Sequence, residues 1–402
     1  MSAVLAAIGA TDARTWELKP LAEVADILDG KRIPVNAKER EKRSGPVPYY
    51  GATSQVGWID DFLFNEELVL LGEDGAPFLE PNKPKAYVIR GKSWVNNHAH
   101  VLRARAVPTG WLAHYLNVVR YDELVTGTTR LKLTQAAMRQ IRVPVAPWHV
   151  MEQRVAEIEK QFSRLDEAVA NLKRVKANLR NLRSSALNAA CEGPWPSIEF
   201  GLLARETLVG LDRGRDQQRS VGPGHRYVKM NIVSMDGEIQ SEGIVYVDAS
   251  SQEATKYALR SGDILFNTRN SVELVGKSAL VPPELEGALY NNNLMRIRTT
   301  PEIDSAFLAM QMCAPAFRRQ LEKVKRATTS VAAIYLKDLV RVPVIVPPVT
   351  EQCHIVAEVE SRLSIIREVA AEADRNSQRA QALRQAILQR AFAGEPEVRI
   401  AA

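Results

Sequence analysis

Polar side chains able to pair with bases or phosphates gather in a few short stretches of this 402-residue chain. The first half offers Lys31 and Arg32, the run PYYGATSQVGW with Tyr49, Tyr50 and Ser54, the triplet Asn96, Asn97 and His98, and Thr128, Thr129 and Arg130. The second half offers Arg213, Arg215, Arg219, Arg226 and Tyr227, then Arg269, Asn270 and Ser271, the asparagines Asn291, Asn292 and Asn293, and Lys323, Lys325 and Arg326 before Thr328 and Thr329. Arg meets guanine with two parallel N–H groups, Asn and Gln match adenine, and Lys, Ser, Thr and backbone amides hold phosphates. The mixture suits a reader of duplex grooves. Asn, Gly and Ser also build solvated turns, so residue types alone leave both readings open.

Catalytic constellations do not emerge. VGKS at Val275–Ser278 resembles the end of a phosphate-binding loop, but Ser271 stands where that loop requires glycine. GEDG at Gly72–Gly75 places two carboxylates in a loop with no further ligand at metal spacing, and reads as a turn. His98 and His100 alternate on one strand and share a face, which permits metal ligation; no third ligand can be named, and contact with bases is the preferred alternative. GxSxG, HExxH and glycine-rich cofactor turns are missing. No catalytic, cofactor-binding or metal-binding residue is therefore assigned. Cys191, Cys313 and Cys353 are odd in number and far apart, which argues against disulfides and structural zinc.

The elements that must position these residues follow from length and periodicity. The chain has room for more than one domain. No apolar run approaches the roughly 18 residues of a membrane span, and the opening MSAVLAAIGATDART lacks the basic start of a secretion signal. A cytoplasmic protein with no membrane partner is expected. The net charge of +6 permits a polyanionic partner without requiring one.

An internal repeat sets the architecture. RVPVAPWHVMEQ from Arg142 and RVPVIVPPVTEQ from Arg341 agree at seven of twelve positions, and VAEIE from Val155 answers VAEVE from Val356. Fainter echoes pair NNHAHVLR with NNNLMRIR, Trp111 with Phe307, and the Thr pairs with each other. Each copy then carries a long heptad-like stripe. The first holds Met151, Val155, Ile158, Phe162, Leu165, Val169, Leu172, Val175, Leu179, Leu182 and Ala186; the second runs from Val356 through Val359, Leu363 and Ile366 to Leu383 and Ile387. Prolines before each helix fix its start; Gly193-Pro194 and Gly394-Glu395-Pro396 close them. One narrow apolar stripe is unstable alone in water, so the two helices are expected to pair antiparallel within the chain. The basic run Lys173, Arg174, Lys176, Arg180 and Arg183 suits a solvated helix face or a DNA backbone.

Short strands are expected at ELVLLG (67–72), KAYVIRG (85–91), HVLRAR (100–105), DILFNTR (263–269), SALVPP and NLMRIRTT, with helices near 111–119 and 304–323. The fold class is α+β: two mixed α/β domains held apart by an antiparallel pair of long helices, an intramolecular coiled coil in a pseudo-twofold tandem repeat. The expected segments are 1–147, 148–194, 195–347 and 348–402.

In this order of segments the chain resembles the specificity subunits of type I restriction-modification systems. The paired RVPV…EQ…VAEIE and RVPV…EQ…VAEVE, the GEDG, NNHAHVLR, FNTRNSVELVGKSALV and YNNNLMRIR stretches, and the Thr-Thr pairs carry the resemblance. It implies two target-recognition domains (1–147 and 195–347), each reading half of an interrupted, asymmetric DNA site, and two helical spacer regions (148–194 and 348–402). It further implies two methyltransferase subunits as partners, with restriction subunits able to join. S-adenosylmethionine, ATP and Mg would then sit on those partners, and this chain would be non-catalytic. The alternatives are a DNA-reading subunit of a methyltransferase-only complex and a protein-protein adaptor with a coiled-coil spacer.

Overall fold

The computed structural model describes residues 16–392; the opening stretch and the Gly394-Glu395-Pro396 stop lie outside the described residues. Contacts divide the chain into two compact units. Unit 1 is Met1–Lys173 with Ala373–Ala402, and unit 2 is Arg174–Glu372.

Unit 1 begins with β1 (Glu17–Pro20), β2 (Ala25–Ile27), β3 (Val47–Tyr50), β4 (Gln55–Ile59), β5 (Phe64–Asn65) and β6 (Leu68–Gly72). It continues through β7 (Ala86–Ile89), β8 (Lys92–Val95), β9 (Ala99–Ala104), α1 (Thr109–Leu116), β10 (Val125–Thr126), β11 (Lys132–Leu133) and β12 (Arg142–Val145) into the long α2 (Trp148–Ala189). One sheet has the order β2-β9-β6-β7; a second has β4-β3-β8-β5, with β3 parallel to β8. The unbroken apolar run of β6 follows from its place between two cores. Val69 and Leu71 face the cluster that holds α1, while Leu68 and Leu70 face the cluster that holds Val95 and Phe64. Each such fully buried side chain is worth roughly 1.5–3 kcal/mol, so both faces of β6 must stay apolar.

Unit 2 repeats the plan with β13 (Ser197–Glu199), β14 (Ala204–Val209), β15 (His225–Val228), β16 (Val245–Val247), β17 (Ile264–Asn267), β18 (Arg269–Asn270), β19 (Ser278–Leu280), β20 (Leu289–Tyr290) and β21 (Leu294–Thr299). After α3 (Ser305–Cys313) come β22 (Arg326–Ala327), β23 (Ala332–Ala333), β24 (Pro343–Ile345) and the long α4 (Val349–Phe392). Its sheets are β14-β21-β17-β19 and β16-β15-β20, the last pair parallel, as in unit 1. Here β17 is the doubly buried strand: Ile264 and Phe266 face one cluster and Leu265 the other. The single helix expected over 304–323 is broken at Pro315, which has no N–H to continue the ladder, and a second helix, Pro315–Val324, starts there.

The duplicated RVPV turns out to be a strand with a defined partner. Residues Arg142–Val145 pair antiparallel with β1, and Pro343–Ile345 pair with β13. Pro144 lies inside its two-stranded ribbon, where an edge tolerates the missing N–H, and its carbonyl accepts from the Trp111 indole at 2.9 Å.

Within unit 1 the long helices run antiparallel. Arg154 donates to the Ala391 carbonyl, while Arg384 pairs with Asp166 at 2.6 Å and lies 4.3 Å from the Phe162 ring centre. Within unit 2, Leu187 packs with Ile355, Val359, Leu363 and Ile366. Two seam positions need correction: Val175 and Leu182 are exposed, at 39% and 57%, and Leu187 is buried in their stead. A heptad stripe drifts by about 20° per repeat on a straight helix, which carries these two side chains out of the contact. No helix among the described residues is long and apolar enough to cross a membrane, and Cys191, Cys313 and Cys353 are free thiols.

Candidate nucleic-acid interface

In each unit three backbone segments meet at one end of the central strand pair, and the same hydrogen bonds tie them. In unit 1 the Glu73 N–H donates to the His98 carbonyl at 2.8 Å, the Leu133 N–H donates to the Glu73 carbonyl at 2.8 Å, and Asp74 bridges to Lys132. In unit 2 the Thr268 N–H donates to the Asn293 carbonyl at 2.9 Å, the Ile334 N–H donates to the Thr268 carbonyl at 2.9 Å, and Arg269 pairs with Ala333. These bonds make Glu73 equivalent to Thr268, Asp74 to Arg269, His98 to Asn293, and Lys132 to Ala333. The GEDG, NNH and TTR stretches of the sequence are therefore one place in space.

The junction of unit 1 rests on a buried charge network. Asp29 receives the His100 ring at 2.6 Å, the Val101 N–H at 2.8 Å and the Gln135 amide at 2.9 Å. Burial alone would push the Asp29 carboxyl up, but the His100 hydrogen bond and charge, with the Val101 and Gln135 donors, outweigh it and hold the group below its usual range. The other His100 nitrogen lies 3.0 Å from the Leu133 carbonyl. Both ring nitrogens of His100 thus face acceptor oxygens, one of Asp29 and one of the Leu133 carbonyl. Arg32 donates to Glu73 and to the Ala99 carbonyl, both at 2.7 Å, and Lys132 stands 3.2 Å from Glu73.

Asp29, Glu73 and His100 bring ligand atoms within 4.8 Å of one another. This is the third partner for a histidine that sequence spacing could not name. Yet both ring nitrogens are already bonded, and two cations sit on Glu73, so the group is a brace that ties β9 to the loop after β2. Asp74 faces outward, with the Arg130 guanidinium at 2.6 Å and the His98 ring at 2.7 Å, both on Oδ1.

The expected contact residues fall into three groups. Lys31, Ser54, Asn97, Thr128, Thr129 and Arg130 of unit 1, and Arg215, Arg269, Asn292, Thr328 and Thr329 of unit 2, are exposed. Tyr50, His98, Ser271 and Asn293 are half-buried. The remainder have structural duties. Tyr49 and Tyr227 are corrections: both are 1% exposed, and their hydroxyls donate to the Val35 and Leu211 carbonyls, so they support the sheets and do not face a ligand.

Asn96 is buried with its side-chain oxygen on the His98 N–H, shaping the turn, and Asn270 bonds Asn267 and the Ser271 N–H. Arg32 is locked in the brace, and Arg226 donates to the Glu284 and Glu286 carbonyls. Arg213 and Arg219 pair with Glu253 and Asp248, and Arg183 of the basic helix run pairs with Asp236.

Reading by residue type misses three contributors. Asp29 gives no signal because its partner His100 lies 71 residues away. Tyr335 is 45% exposed, flanked by Arg326 and Lys337 at 5.7 and 6.0 Å from its ring. It lines, with Arg269, Asn292 and Asn293, a pocket of about 220 Å³ in unit 2. Trp58, 56% exposed at the β3–β4 hairpin, belongs to the PYYGATSQVGW stretch, where the tyrosines and the serine draw the attention.

Residues 13–179 match the family described as "Type I restriction modification DNA specificity domain". A putative type I restriction enzyme specificity subunit from Haemophilus influenzae is 38% identical over 135 residues, 33% of this chain and 34% of that protein. The EcoKI specificity subunit of Escherichia coli K12 is 24% identical over 306 residues, 71% of this chain and 65% of that protein. Both matches thus span less than two thirds of the relative's length. Among solved structures, a chain from a study of complex assembly and conformational transition of the type I R-M system has TM-score 0.68 at 18% identity, covering 95% of this chain and 98% of that one. The HsdS subunit of Thermoanaerobacter tengcongensis has TM-score 0.50 at 18% identity, with 95% and 97% covered. At that identity the likeness is one of fold.

Proposed function

We propose that the chain is a specificity subunit of a type I restriction-modification system and that it reads an asymmetric, two-part site on duplex DNA on behalf of separate methyltransferase subunits. In this reading segments 1–147 and 195–347 each recognise one half-site, and 148–194 and 348–402 are the spacers that dock two modification subunits, with restriction subunits able to join. S-adenosylmethionine, ATP and Mg belong to those partners, and the complex works in the cytoplasm.

One observation carries the proposal. The same two-sheet unit, with the same three-segment junction, occurs twice, and it presents unlike side chains at matched places, Asp74 against Arg269 and His98 against Asn293, while Asn97 and Asn292 agree. A duplicated reader with unlike side chains suits two unlike half-sites, since base contacts specify sequence while phosphate contacts only position the protein. The exposed set of Lys31, Ser54, Asn97, Thr128, Thr129 and Arg130, and of Arg215, Arg269, Asn292, Thr328 and Thr329, supplies the donors and acceptors for it. Mapping methylated adenines across the source genome with and without this gene tests the reading. Loss of one interrupted motif with two different halves is expected; an unchanged map, or loss of a single uninterrupted motif, overturns it.

A further inference from the structure

Arg130 sits at the tip of a loop whose turn requires Gly127 at φ +97°, where a side chain would meet the Arg130 carbonyl at 2.5 Å. A long side chain at such a tip would ordinarily sample many rotamers. This one is held. Its Nη2 donates to Asp74 Oδ1 at 2.6 Å and lies 3.3 Å from His98 Nδ1. Its guanidinium also lies across Gly75, whose φ of +68° and missing Cβ leave the room: a Cβ there would stand 3.4 Å from Arg130 Nε. Despite these ties the Arg130 side chain is 60% exposed. Among the described residues Nε and Nη1 of Arg130 carry no hydrogen bond.

We propose that Arg130 reads a guanine in the half-site of unit 1, and that Asp74 is the positioning residue that fixes its guanidinium for that contact. Guanine presents O6 and N7 as adjacent acceptors in the major groove, and a planar fork with a free N–H edge meets both at once. Fixing the fork beforehand lowers the ordering cost of binding. Asp74 takes one Nη2 hydrogen and leaves the other edge open, so the carboxylate orients the guanidinium without occupying its reading edge. The brace behind the loop serves the same end, since Glu73 is held by Arg32 and Lys132 while its neighbour Asp74 faces out.

Unit 2 solves the problem from another strand: it places Arg269 where unit 1 has Asp74, and its loop over 327–332 holds no arginine. Among the described residues Arg269 has no carboxylate partner. Unit 2 fixes an exposed arginine at a different place, Arg326, whose guanidinium is held by Asp338 at 3.0 Å.

This inference rests on the function proposed above, and its test separates the two. The full chain, co-expressed with its modification subunits, would be used to select from a randomised duplex library at two salt concentrations. Enrichment of a two-part site by the natural chain supports the function; failure to enrich any site overturns both claims. Given a site, Arg130→Lys keeps the charge and loses the fork. It should reduce preference for guanine at one position of one half-site by about 5- to 150-fold with an unchanged salt slope.

Asp74→Asn should weaken the same position and no other, add nothing in the Arg130→Lys background, and be partly rescued by Asp74→Glu. Unchanged base preference in Arg130→Lys overturns the proposal. So does a uniform loss across sequences with a shallower salt slope, which is the mark of a phosphate contact. An Asp74→Asn chain that loses thermal stability but keeps its base preference would make Asp74 a structural residue and overturn its positioning role.

Discussion

The junction of unit 1 is assembled from Asp29, Glu73, His98, His100 and Lys132, whereas the equivalent backbone of unit 2 carries Val209, Thr268, Asn293, Met295 and Ala333. The strand register fixes these equivalences: Ile27 and Thr207 pair with Leu102 and Ile297, which face Val69 and Ile264 in turn. Main-chain hydrogen bonds of nearly equal length close both junctions. What differs is how the space beneath them is filled. Unit 2 uses an apolar side chain, Met295, 1% exposed; unit 1 uses an imidazole at the same depth and must surround it with a carboxylate and a carbonyl. The backbone of the junction is thus indifferent to the side chains under it. Each unit can change its chemistry without changing its fold.

That comparison breaks most visibly if the buried residues are exchanged. Replacing His100 with the methionine of unit 2 removes the ring that bonds Asp29 at 2.6 Å and leaves Arg32, at 3.7 Å, as its remaining cation, a loss of about 1–3 kcal/mol for one buried hydrogen bond to a charged group. The reciprocal Met295→His places a polar ring where no carboxylate waits and should cost about 1–3 kcal/mol. Urea unfolding of the full chain, following a probe in each unit, would measure both. If His100→Met cost less than about 1 kcal/mol, the low end for one unsatisfied buried group, the network would be ornamental and the two junctions energetically alike.

A second contrast lies beneath the helices that face α2 and α4. His114 of α1 is half-buried against the Phe162 ring, 4.0 Å from Glu159, and desolvation with help from the Arg384 charge pushes its pKa from 6.5 down to about 4. The equivalent residue of α3 is Met310, which cannot titrate. Because the folded pKa is depressed, the unfolded chain takes up the proton first, so unit 1 should lose stability as pH falls from 6.5 towards 4. The loss approaches about 3 kcal/mol at the lower end. His114→Met should reduce the slope in that window while leaving the loss at its lower end and below, where carboxyls held ionised in the fold, Asp29, Glu66, Glu206 and Glu253 among them, are protonated. Stability that declines equally in the His114→Met chain between pH 6.5 and 4 would assign the slope elsewhere.

How far these differences can be read in advance depends on how local their causes are. The doubly buried β6 and β17 are legible as ELVLLG and DILF, because a short unbroken apolar run rich in aliphatic residues marks a strand covered on both faces. The repeated helix starts are legible because identical letters recur. Identical letters do not guarantee identical work, however. Gln352 is fully buried and joins the Asp304 N–H to the Glu302 and Pro347 carbonyls, while its counterpart Gln153 is exposed.

Tyr49 and Tyr227 mislead for a related reason. An aromatic with a hydroxyl suits both a base stack and a sheet core, and only the partner carbonyls, 14 and 16 residues away, decide between them. The convergence of Gly72–Gly75 with 128–130 is illegible because a three-segment junction leaves no period in the chain.

The smallest effect distinguishes the two surfaces themselves. Arg269→Ala removes the exposed donor of unit 2 at the position that Asp74 holds in unit 1. On the proposed reading it should cost about 1–3 kcal/mol of discrimination confined to one half-site, with the other half unaffected. Competition binding with duplexes mutated in one half at a time would measure it. Arg269 is not fixed by a carboxylate, so more of its side-chain freedom is lost on binding, and its effect should lie at or below that of Arg130. A larger loss for Arg269 than for Arg130 would reverse the inference that prior fixing of the guanidinium strengthens the reading.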